Sequence, residues 1–278
     1  MDREQIPNGI KRLVRQNCYF GCVMCGSPIF DYEHIYGYEQ TGNDPDAMTL
    51  LCPAHHREKT AKRLPIEIVE AATRRPFNQP HRLGAGHPLY FDAENFSVVF
   101  GNMACTNQDQ EDATRLALVV DGKNVFGVRR TEGHLELDIT LRDRNNVPFL
   151  IVRGGELRHA AQAWDVEFSG QTLIVRSASR QVMLRMSLKP PGEIVVETAL
   201  IWANGYLFKI GKASSQGGLE FVNGEFTVAN LTVQGAYVIS AGAPQPESGV
   251  FLRFRDSVKR SYGAFPCPVG AFNAETGR

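Results

Sequence analysis

From Phe96 onward, apolar and polar positions alternate with a period of two. The runs Leu135–Leu141, Trp164–Phe168, Val182–Leu188 and, in part, Phe221–Val228 carry this pattern, which turns one face of a strand to a core and the other to water. Turn-forming clusters separate them: Asp121-Gly122-Lys123-Asn124, Arg144-Asn145-Asn146, Ser169-Gly170, Pro190-Pro191-Gly192, Asn204-Gly205 and Asn223-Gly224. Short strands at near-regular spacing, without a sustained helical period, predict an all-β domain. A sandwich, a β-roll and a short β-solenoid all satisfy the pattern, and stacked short strands are the arrangement we favour. The first 85 residues read differently. They are rich in Cys, His and charge, Leu64–Ala72 predicts one short helix with Pro65 in its first turn, and Cys52–Thr60 is compatible with another. Between the two textures, Phe77–Pro88 is broken by Pro80, Gly84 and Gly86 and reads as a linker. The expected fold class is therefore α+β, with a small N-terminal domain over 1–85 and a β-rich domain over 86–278.

Composition narrows the class without choosing a function. The chain has 278 residues, 43% hydrophobic and 22% charged, which excludes wholesale disorder, collagen and coiled coil. No apolar run reaches the roughly 18 residues of a membrane-spanning helix, and the charged start MDREQIPNGIKRLVRQN lacks the apolar centre of an export signal. The expectation is a cytoplasmic protein with no membrane partner. Lys+Arg and Asp+Glu both number 30, so any nucleic-acid footprint has to be local.

Chemistry concentrates in the first 60 residues. Cys22 and Cys25 form a C-x2-C knuckle, and Cys52 and His55 form a C-x2-H knuckle after 26 intervening residues. Four soft or borderline ligands in two tight turns predict a tetrahedral structural Zn²⁺ site. Cys18 precedes bulky Tyr19-Phe20 and reads as packing. Cys105 and Cys267 have no partner in sequence. Between the knuckles lies Glu33-His34-Ile35, a carboxylate and an imidazole that zinc does not need. Neighbours on a strand face opposite ways unless the backbone bends, so a bulge is one way to bring both to one cleft. His56 follows His55, and on a helix the two would point about 100° apart. One can then serve zinc and the other a second, open site.

Together these motifs resemble the HNH endonucleases with a ββα-metal core, in the branch clamped by a two-knuckle zinc site. The matching stretch runs from about Val14 to Thr60 and ends in Leu50-Leu51-Cys52-Pro53-Ala54-His55-His56-Arg57-Glu58-Lys59-Thr60. The resemblance implies that His34 is the general base, that Glu33 and His56 hold a catalytic Mg²⁺ or Mn²⁺, and that Cys22, Cys25, Cys52 and His55 hold structural zinc. The implied activity is hydrolysis of DNA phosphodiester bonds, on a double-stranded substrate and in a defence role against foreign DNA. One position departs: Ala47 stands where the family has an Asn that orients the base, with Asn43, Asp44 and Asp46 nearby. Ala47 is also what favours the alternative, a zinc-stabilised nucleic-acid-binding or scaffold protein with a decayed core.

Arg57 to Arg82 holds seven Lys/Arg against three Glu, and Lys11, Arg12 and Arg15 precede the knuckles. Arg12, Arg57 and Lys59 are the expected phosphate contacts. In the β-rich domain, Trp164 and Trp202 read as core residues, Asp143 and Asp165 as turn residues, and His134 and His159 as ordinary. That domain is expected to recognise or assemble, through a protein partner, a second copy or DNA.

Overall fold

The computed structural model describes residues 5–91, 96–107, 113–121, 123–132, 134–161, 163–222, 226–228, 232–234, 237–241 and 250–254. The N-terminal part begins with helix α1 (Asn8–Asn17), followed by strand β1 (Asp31–His34), the single turn α2 (Tyr38–Thr41), strand β2 (Met48–Leu51), and helices α3 (Pro53–Thr60) and α4 (Ile66–Arg74). Strands β1 and β2 pair antiparallel in unbroken register, from Asp31 opposite Leu51 to His34 opposite Met48. Every residue of β2 is buried, because α1 and the Ile35–Ala47 return cover it. Pro53 opens α3, where its missing N–H costs nothing. Pro65 sits just before α4 as its cap rather than inside its first turn. The core here is small: Val14, Val23, Ile35, Met48, Leu50, Leu51 and Val69, with Cys18, Cys22 and Cys52.

From Phe96 the chain is β-sheet, as the alternation predicts. The described strands run as antiparallel meanders. One covers Ala113–Val120, Lys123–Thr131, His134–Arg142, Pro148–Arg153 and Glu156–His159. A second runs from Asp165–Ser169 through Thr172–Ala178, Gln181–Lys189, Glu193–Ala203, Tyr206–Gly211 and Leu219–Val222 to Phe226–Val228. The two join where Trp202 meets Arg142, and Phe96–Phe100 adds in parallel to the start of the long strand Glu193–Ala203. The result is one curled sheet around a large core that includes Phe100, Phe126, Ile139, Leu150 and Phe208. Sequential hairpins with strands of up to 11 residues replace the stacked short strands expected from the turn spacing. The predicted turn at Asn223-Gly224 lies outside the described residues, as does Cys267.

The segment read as a linker is fastened on both sides. Phe77 N–H donates to the Val23 carbonyl (3.0 Å), and Asn78, 1% exposed, reaches the carbonyls of Tyr19 and Gly26 at 3.2 Å. Gly26 is required there: its φ is +75°, and a Cβ would collide with Asn78 and Phe77. Further along, Gly84 N–H donates to the His159 carbonyl (2.9 Å), and His87-Pro88 pairs with Glu156-Leu157. After α1, Tyr19 and Phe20 both adopt positive φ, 53° and 58°, a strain that persists where surroundings over-determine it. Here the surroundings are the β core, which takes in the Phe20 ring.

Candidate functional site

Cys22 and Cys25 lie in the tight turn behind α1, closed by Gly26 N–H to the Cys22 carbonyl (2.7 Å) and tied to β2 by Val23 N–H to the Leu50 carbonyl (3.0 Å). Cys52 caps α3 and His55 lies in its first turn. The four ligand atoms fall within 4.8 Å of one another. Cys25 Sγ is 3.8 Å from Cys52 Sγ, and His55 Nδ1 is 3.5 Å from Cys22 Sγ and 3.2 Å from Cys52 Sγ. A tetrahedral ion with metal–sulfur bonds near 2.3 Å and a metal–nitrogen bond near 2.0 Å has edges of about 3.8 and about 3.5 Å. The cluster therefore has the dimensions to hold a metal ion such as zinc. The hydrogen bond between Cys22 and Cys25 lowers the Cys22 thiol and raises that of Cys25. Cys18 stands apart. It is buried, its Sγ lies 3.7 Å from Thr49 Oγ1, and burial pushes its thiol up to about 11, which matches the packing role expected of it.

A second cluster forms on the other side of α3. The regular register of β1 sends Asp31 and Glu33 to one face, towards α3. The His56 ring lies between them, with Nδ1 3.0 Å from Asp31 Oδ2 and Nε2 2.9 Å from Glu33 Oε2. Lys59, one helical turn on, holds Glu33 Oε1 with its ammonium and also donates to the His34 carbonyl (2.9 Å). His55 and His56 thus diverge to separate clusters, as helical geometry predicts. An open cleft of about 530 Å³ adjoins Glu33 and Lys59, walled by Lys62, Leu64, Pro65 and Ile66 among others.

His34 is placed differently from Glu33 and His56. Because β1 has no bulge, its side chain faces away from Glu33 and is 2% exposed. Its Nε2 lies 3.3 Å from Asn43 Oδ1, and Tyr38 meets its ring edge-on at 5.4 Å. Asn43 is thus the amide against His34. Ala47 contributes its carbonyl, which accepts from Ile35 N–H (3.0 Å).

The expected phosphate contacts divide. Arg57 is exposed on α3. Lys59 bonds Glu33 and the His34 carbonyl, within reach of β1 from its place one turn after His56. Arg12 is also engaged, its guanidinium 4.9 Å over the Trp164 ring. Trp164 is accordingly a half-buried platform rather than a core residue. Arg15, counted in the same basic flank, is 4% exposed and pairs with Asp165 (2.8 Å), which is 2% exposed and no ordinary turn residue. Sequence reasoning passed over Asp31 as well, although its i, i+2 spacing from Glu33 on a strand was the available signal.

Comparison with protein-family models, with curated proteins and with solved structures finds no match to this chain. Among the described residues no helix is long and apolar enough to cross a membrane.

Proposed function

We propose that the chain is a metal-dependent endonuclease of HNH type that hydrolyses DNA phosphodiester bonds, with zinc in the Cys22/Cys25/Cys52/His55 cluster and Mg²⁺ or Mn²⁺ between Glu33 and His56. The observation that carries this reading is the His56 ring between two carboxylates beside an independent Cys/His cluster. Glu33 Oε2 and His56 Nε2 are 2.9 Å apart, close to the roughly 3.0 Å between adjacent ligands of an octahedral ion with bonds near 2.1 Å. Asp31 accepts the Nδ1 proton of His56 and so turns the Nε2 lone pair towards Glu33, a carboxylate–histidine arrangement common behind metal ligands. A divalent cation there supplies charge compensation at the leaving oxygen. The resemblance assigns the general base to His34, which lies against Asn43 on the opposite face of β1, and the His34 variant below tests that assignment. Arg57 contacts the substrate backbone.

The test is plasmid cleavage in Mg²⁺ or Mn²⁺. Wild type should cut, His34→Ala should lose at least about 100-fold, the lower range for a general acid–base group, and Glu33→Gln and His56→Ala should lose cleavage together with cation binding. A second reading is favoured by the burial of His34: a zinc-stabilised nucleic-acid-binding module in which His34 is structural. It expects binding that survives His34→Ala and no cleavage by wild type in any divalent cation.

A further inference from the structure

Tyr32 stands between Asp31 and Glu33 on β1, and its side chain leaves the strand on the opposite face. Its hydroxyl accepts from Arg15 Nη1 at 2.5 Å. Its ring is flanked by Phe30, edge-on at 5.9 Å, and by the Lys11 ammonium at 5.8 Å. The other two donor groups of Arg15 meet Asp165 in a fork, Nε to Oδ1 at 2.8 Å and Nη2 to Oδ2 at 3.0 Å. Asp165 is fixed in turn by Arg176 Nη1 at 2.7 Å. A planar guanidinium with its donors satisfied in a buried setting holds its partners in one geometry. The same face of α1, at i, i+3 and i+4, adds Arg12 over the Trp164 ring and Gln16 Nε2 to the Trp164 carbonyl at 2.7 Å.

We propose that Asp165, in the β-rich part of the chain, is a positioning residue for the Asp31/Glu33 pair, acting through Arg15 and Tyr32. The inference rests on the reading of Asp31, Glu33 and His56 as a cation site. β1 is four residues long, and its pairing with β2 and the Lys59 bonds to Glu33 and the His34 carbonyl hold it from one side, while on the opposite face the Tyr32 hydroxyl ties it to Arg15 and so to Asp165. A small shift of β1 changes both distances to His56 at once. The cation site is then built by both parts of the chain, and the β-rich part has a duty in catalysis before any partner is considered.

The experiment uses the full chain and two readouts, Mn²⁺ affinity by titration calorimetry and plasmid cleavage. The variants are Tyr32→Phe, which removes one hydroxyl and keeps the ring, Asp165→Asn, and the two combined. Tyr32→Phe should keep its zinc and its folding transition while Mn²⁺ binding weakens about 10-fold, the lower end for residues behind a metal ligand. The cleavage rate at saturating DNA should fall with it, leaving the DNA concentration for half-maximal rate unchanged. The double variant should be no worse than the more severe single one, as for groups acting in one chain of contacts. A folded Tyr32→Phe that binds Mn²⁺ and cuts like wild type overturns the proposal and leaves the nuclease reading standing. So do additive losses in the combined variant. Should Asp165→Asn fail to fold, Tyr32→Phe decides alone. Wild type that binds Mn²⁺ without cutting removes the nuclease reading, and the affinity of Tyr32→Phe still decides the positioning role. Wild type that binds no Mn²⁺ removes the cation site and the positioning role together.

Discussion

His55 and His56 are adjacent in the chain and serve different clusters, so single substitutions separate them. His55→Ala should release the zinc and destabilise the N-terminal part. His56→Ala should keep one equivalent of zinc and the fold while losing cleavage, and metal analysis beside thermal melting distinguishes the two. The reverse pattern would mean that the two roles are exchanged. Asp31→Asn should fall between wild type and His56→Ala, with cation affinity about 10-fold weaker, since Nδ1 of His56 loses its carboxylate. At this scale the sequence was legible where spacing alone decides. Two x2 knuckles were enough to pick out the four residues whose ligand atoms come together. Asp31 was not legible, because its role depends on sharing a strand face with Glu33. Nor was the orientation of His34, because that depends on whether β1 bends, and its register with β2 keeps it straight.

Helix α3 carries cations with unlike employment. Arg57 projects to solvent, whereas Lys59 turns inward to Glu33. Arg57→Ala should weaken DNA binding equally across sequences and reduce the slope of log affinity against log salt by roughly one. Lys59→Ala should leave that slope unchanged and instead alter cation affinity at Glu33. Binding measured from low to moderate salt checks both, and an equal loss of slope in the two variants would place Lys59 on phosphate after all. α3 and α4 were readable from Pro53, Pro65 and the residues around them. Helix α1 was not, because its apolar residues are few: Val14 is fully buried while Leu13 is 44% exposed, and its charges conceal the face that docks. Those charges made α1 look like a nucleic-acid surface. Arg12 and Arg15 are instead turned to Trp164 and Asp165 within the molecule, a pairing 150 residues distant that no local pattern announces.

Over the whole molecule, alternation foretold the sheet and its hairpins but not their closure into one curled layer, since period two fixes faces and not neighbours. The contact between the two parts went unread for the same reason. It includes His159, fully buried beneath Gly84, whose imidazole burial pulls from an ordinary 6.5 down to about 4. The unfolded chain binds a proton there in a range where the folded chain does not. Stability is therefore greatest above pH 6.5 and falls as pH drops towards 4, by about 2 kcal/mol at pH 5 from this residue. Urea unfolding at pH 8 and pH 5 checks this: His159→Gln should lose that part of the pH dependence, and an unchanged dependence would refute it. Metal loss in acid affects both proteins alike and cancels in the comparison. The buried Arg15–Asp165 pair has a consequence for descent as well. Removing Asp165 leaves Arg15 with only the Tyr32 hydroxyl and the more distant Glu167, and removing Arg15 leaves Asp165 with Arg176 alone, so either loss takes from a buried charge its bidentate partner. A lineage cannot exchange its C-terminal half for an unrelated one, as modular enzymes do, unless the newcomer brings an acid to meet Arg15 or the helix gives up its arginine in the same step. Substitutions at positions 15 and 165 should therefore be found in pairs more often than either alone.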